Sequence, residues 1–178
     1  YKGKIYLYYT AMGSRPGGKP PQLQSIGLVT TSNGTTFDQQ RLILTQTEKY
    51  PAEKGFVGYS TPSALAHDGK IHLIYDVAAY GENNRRQWHQ VALDHAVSDD
   101  GITNFKEDDR PVLTRDDFSW TSGEMIGPSM LISDNKVKLW WSGHVNYDEL
   151  ATFIINGMEG PEVGIGFAEL PLEEFLEK

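Results

Sequence analysis

The chain has 178 residues, 39% of them hydrophobic, with a formal net charge of −8 and no cysteine. That length carries one ordinary domain with a real core, and the missing thiols exclude a disulfide framework and thiolate chemistry. With no basic stripe and no apolar run near the ~20 residues of a bilayer span, neither nucleic acid nor membrane is an expected partner.

The first residue is Tyr1, set directly before a strand. Residues are therefore expected upstream, and the compartment stays open, a secreted or periplasmic bacterial setting being compatible. Residues 3–9 alternate, with Ile5, Leu7 and Tyr9 on one face and Tyr6 and Tyr8 on the other. Residues 25–31 form the next strand, closed by the turn Ser32-Asn33-Gly34, and 41–44 a further one. A crossing over 45–60 leads to a short strand at 62–66 and the turn His67-Asp68-Gly69. Then Ile71, Leu73 and Tyr75 oppose His72 and Ile74, a strand follows at 90–97 with the turn Ser98-Asp99-Asp100-Gly101, and Pro111 marks an edge strand at 110–113. A second crossing, 114–126, precedes strands at 128–132, 137–141 and 164–168, and a helical turn after Pro171.

These elements repeat. Ile5, Ile71 and Val137 stand 66 residues apart in turn, and Pro62-Ser63 recurs 66 residues on as Pro128-Ser129. Four antiparallel strands per copy is the grammar of a β-propeller blade, so an all-β, partial β-propeller of about 2.7 blades is expected. The pieces fall at 1–46, 47–115 and 116–178 of a single domain. A β-sandwich of meanders is the rival arrangement.

The segments Ile26-Gly27-Leu28-Val29-Thr30-Thr31-Ser32-Asn33-Gly34, Val97-Ser98-Asp99-Asp100-Gly101 and Gly127-Pro128-Ser129-Met130-Leu131 with Leu139-Trp140-Trp141-Ser142-Gly143 carry a resemblance. They resemble the five-bladed propeller glycosidases around glycoside hydrolase family 43 and its invertase-like relatives. The resemblance implies a ring of about 330 residues at 66 per blade, of which this chain is a piece unless it is a partial propeller that completes itself by association, and carbohydrate as the substrate or ligand. It also implies two carboxylic groups at the site. In the family the general acid is a Glu shortly before the Pro, commonly two residues ahead; Glu124 lies four ahead of Pro128. The family's aspartates flank the same Pro, whereas here Pro62 is flanked by Thr61 and Ser63, and Pro128 by Gly127 and Ser129. No aspartate matches. The three copies are either the family's first three blades, with Ser63 replacing an aspartate, or later ones.

Entries to the inner strands, ends of the second strands and the crossings share one rim, where a site is expected near the axis. Glu124 is the first catalytic candidate, against a reading as a rim carboxylate held by loop amides. Asp76 is the second, standing where the other copies have Thr10 and Ser142; the bland reading is a loop hydrogen bond. Substrate-binding candidates are Arg85, Arg86, Trp88, Trp120, Tyr59 and His144, since sugars take aromatic faces and planar donors together. The aromatics alternatively fill gaps between blades. Asp94 and His95, placed where the first copy has Leu28 and Val29, are a relay or a satisfied structural pair. His67 and His72 carry no role, five histidines are too scattered for a metal set, and no cofactor is expected. Three functions remain open: a glycosidase or a piece of one, a glycan- or protein-binding module, and an architectural fragment. Homo-oligomerisation through unpaired blade edges is expected with each.

Overall fold

A computed structural model describes residues 1–14, 22–80, 88–121, 123–144 and 163–177, with only the backbone described at Gln22 and Trp88. Blade one is β1 (Ile5–Ser14), β2 (Gln22–Thr31) and β3 (Arg41–Leu44), paired in that order. Blade two is β4 (Phe56–His67), β5 (Lys70–Tyr80) and β6 (Trp88–Ser98), edged by β7 (Lys106–Glu107) and β8 (Leu113–Thr114). Blade three is β9 (Glu124–Ser133), β10 (Lys136–His144) and β11 (Val163–Pro171), followed by the helix α1 (Leu172–Leu176). Each group pairs sequentially and antiparallel, and a single parallel bridge, Gln24 to Gly58, ties blade one to blade two. This is a partial β-propeller rather than a two-layered sandwich.

The same strand phrase meets three environments. Ile71 and Leu73 of β5 are buried in a core with Ile26 and Leu44 of blade one, while Ile74 and Leu93 join Val137, Leu139 and Trp141 of blade three in a second core. Blade two thus has a neighbour on each face. The equivalent Ile5 and Leu7 of blade one are 57% and 51% exposed, and Ile165 and Phe167 on the far face of blade three are 79% and 52% exposed. Position in the array, not sequence, sets the burial.

Both inner strands carry the same irregularity. In β4 the pairing slips between Ser60 and Ser63, so Thr61 and Pro62 together oppose Tyr75; in β9 it slips so that Gly127 and Pro128 oppose Trp141. Each is a β-bulge whose first residue is left-handed, with φ of 44° at Thr61 and 68° at Gly127. Glycine takes that conformation freely, and Thr61 takes it against its branched Cβ.

Two expectations shift. The inner strand β4 begins at Phe56, six residues before the expected Pro62, because ladder pairing to Ala79, Ala78 and Val77 extends it towards the crossing. The outer strand of blade two is not a run over 110–113. It is split into β7 and β8, and Val112 bonds its N–H to Leu93 O.

Candidate functional site

The rim end of blade three presents Glu124 and His144. They are the first residue of β9 and the last of β10 and pair directly across the ladder. Glu124 Oε2 lies 2.9 Å from His144 Nε2, with side chains 13% and 10% exposed. The approach to Glu124 is fixed by the 3-10 turn Ser119–Thr121, where the Thr121 hydroxyl donates to Arg115 O at 2.7 Å and to Phe118 O at 3.0 Å. Gly123 donates its N–H to His144 O at 3.0 Å, closing the turn onto the strand end. A largely desolvated carboxyl bonded to an imidazole can share one proton with it.

Asp76 lies deeper, fully buried on β5. The hydroxyls of Ser60 and Thr61 donate to its two oxygens, and Gly127 N–H donates to Oδ2 at 3.2 Å. Burial pushes its carboxyl above the usual range, the three donors pull it back, and the negative charge of Glu124 adds to the rise. Both oxygens are engaged. Asp76, the second catalytic candidate, thus binds groups of its own protein in this structure.

The aromatic candidates separate. Trp120 is half-buried, stacked on Trp141 with centroids 6.3 Å apart and planes 15° from parallel. It lies over the cross-strand pair Gly143 and Gly164, where a Cβ would approach the ring to 2.9 and 3.1 Å. One face of Trp120 is thus packing. Tyr59 is not on the rim: it is fully buried in β4, its hydroxyl 2.8 Å from Thr47 Oγ1 and its ring edge-on to Tyr75. Early onset of β4 carries it into the core. Arg85 and Arg86 lie outside the described residues, as does the side chain of Trp88.

Asp94 and His95 do not form a relay with each other. The ladder aligns Tyr75 with Asp94 where Tyr9 meets Gly27 and Trp141 meets Gly166, so Asp94 replaces a glycine of the sibling blades and His95 replaces Leu28. The expected match to Leu28 and Val29 was one residue out, because β6 carries an extra residue, Val91, between Gln90 opposite Ala78 and Ala92 opposite Val77. Neighbouring residues on a strand face opposite ways. Asp94, fully buried, holds Lys49 Nζ at 2.7 Å, and that ammonium also donates to Asp108 O at 2.6 Å. His95 points to the other side: its Nδ1 is 3.0 Å from both oxygens of Asp108, and its Nε2 is 3.0 Å from His72 Nδ1. With His95 donating to the carboxylate, His72 donates to His95. Phe175 of α1 covers His95 at a centroid distance of 4.4 Å. His72, read from the sequence as a strand-face residue without a role, is thus one end of a buried chain. Its only signal in the sequence was a histidine alternating with isoleucine and leucine in a strand buried on both faces. Among the described residues no group of three or more His, Asp or Glu could hold a metal ion.

No protein-family model and no curated protein matches the chain. Solved structures do. Zg3597, a family 117 glycoside hydrolase of the marine bacterium Zobellia galactanivorans, superposes with a TM-score of 0.69 at 17% identity, over 96% of this chain and 50% of that one. The chain has the fold of part of that protein, a partial β-propeller. A thermostable family-43 glycoside hydrolase gives a TM-score of 0.64 at 14% identity, over 95% and 51%. The Bombyx mori GH32 β-fructofuranosidase BmSUC1 gives 0.62 at 15%, over 94% and 30%. The partial propeller spans about half the length of the first of these proteins or less.

Proposed function

We propose that the partial propeller belongs to a carbohydrate-active protein that cleaves glycosidic bonds, with Glu124 as the proton-donating carboxyl. The observation that carries this is the Glu124–His144 pair at the rim end of an inner strand, in a fold otherwise found in glycoside hydrolases. Trp120 and His144 are the contacts offered to the sugar, with Arg85, Arg86 and Trp88 as further candidates. A panel of aryl glycosides and oligosaccharides, assayed with wild type and Glu124→Gln, tests it. Loss of the acid is expected to lower kcat by about 10²–10⁴-fold. Turnover that survives the substitution removes Glu124 from the role.

A second reading is favoured by the engagement of Asp76: a two-carboxylate mechanism needs a partner for Glu124, and Asp76 is occupied by Ser60, Thr61 and Gly127. In that reading the same rim binds a glycan, or a protein, without cleaving it, and the chain self-associates through its open blades. Binding of an oligosaccharide without turnover in the same panel selects it.

A further inference from the structure

Two hydrogen bonds between neighbouring blades are one bond repeated. Thr61, first residue of the bulge in blade two, donates its backbone N–H to Thr10 Oγ1 of blade one at 2.8 Å. Gly127, first residue of the bulge in blade three, donates its N–H to Asp76 Oδ2 of blade two at 3.2 Å. Donor and acceptor stand 51 residues apart in both cases. A bulge leaves its extra residue outside the ladder, and a backbone N–H stranded inside a protein must find an acceptor elsewhere. The second strand of the preceding blade supplies it, from the equivalent positions Thr10 and Asp76.

We infer that Asp76 is a positioning residue: it clamps the bulge three residues beyond Glu124 on β9 and thereby sets where the Glu124–His144 pair stands. Its meaning for catalysis rests on the glycosidase reading above; the clamp itself does not. Aspartate does more here than threonine does at the first seam. Its carboxylate takes the Ser60 and Thr61 hydroxyls from the inner strand of its own blade and the Gly127 amide from the next. Thr61 consequently belongs to both clamps, bonded through its amide to blade one and through its hydroxyl to Asp76. That double hold maintains a branched residue in a left-handed conformation.

Amide hydrogen exchange and histidine ring resonances, followed by NMR on the full chain, test this without any need for turnover. In Asp76→Ala the Gly127 amide is expected to exchange tenfold faster or more while the Thr61 amide keeps its protection; Thr10→Ala is expected to do the reverse. Asp76→Thr, with a hydroxyl as at Thr10, is expected to restore Gly127 protection, and it carries the test if the alanine variant does not fold. The His144 ring resonances are expected to move in Asp76→Ala and stay in place in Thr10→Ala. General loosening of the fold would instead speed both amides together in every variant. The inference falls if Gly127 stays protected in Asp76→Ala, if folded Asp76→Thr leaves it unprotected, if both variants accelerate the same amides, or if His144 does not respond. Failure of the glycosidase reading alone leaves the exchange pattern as described.

Discussion

Single residues in this propeller are constrained by the strands beside them in their own blade. Gly166 lies beneath Trp141, and a Cβ there would come within 2.2 Å of the indole ring. Trp141 is 2% exposed and packed against Phe118 and Trp120, so the ring has nowhere to go. Gly166→Ala is expected to destabilise the chain by about 1–3 kcal/mol in chemical denaturation, as overpacked cores do. His72 gives a pH dependence whose sign follows from its surroundings. Burial above all, with the charges of His95, His67 and Lys70, lowers its pKa from 6.5 to about 4, against a small opposing pull from Asp108. The unfolded chain then binds a proton near pH 6.5 that the folded chain refuses until about pH 4. Stability contributed by His72 is full above pH 6.5 and is lost as the pH falls towards 4, by about 3 kcal/mol in all. Denaturant titrations at pH 7.5 and 4.5 are expected to show a larger acid loss for wild type than for His72→Gln. Equal losses would remove His72 as the cause.

At the scale of elements, the open faces of the outer blades carry the apolar load that blade two buries. Ile5 and Leu7 on β1, and Leu131, Val163, Ile165 and Phe167 on blade three, are each 47% exposed or more. Such alternating apolar rows on strand edges invite pairing. Self-association is expected in sedimentation at rising concentration, and Ile165→Lys is expected to weaken it tenfold or more without lowering the unfolding midpoint. A wild-type chain that stays monomeric overturns this. Much of the element pattern was legible in the residues: the repeat interval located the three inner-to-outer strand runs, the Asp-Gly turns and the helix after Pro171. What escaped was set by pairing between strands. The extent of β4, which buries Tyr59, depends on ladder bonds to β5, and no local pattern before Phe56 announces them. The pairing of Asp94 with Tyr75 depends on a bulge at Val91 in β6, which a constant interval cannot see.

For the whole molecule, Glu124 could be placed at a strand entry from spacing alone, and it stands there. Its bond to His144 required the ladder register between β9 and β10. The buried links from Asp94 to Lys49 and from His72 through His95 to Asp108 join β5, β6, the first crossing and the outer edge of blade two. Residues that far apart carry no mark of one another until the blade is assembled.

The seam between blades also has a direction. One side offers a side-chain oxygen from a second strand; the other offers an amide from a kinked inner strand. Ser142 is the third oxygen of the series, equivalent to Thr10 and Asp76, and it has no hydrogen-bond partner among the described residues. A serine hydroxyl accepts as well as donates, so Ser142 can take an amide N–H from a kinked inner strand as Thr10 does. A further blade set against β10 in the same sense as its predecessors would continue the series head to tail, the geometry that closes rings.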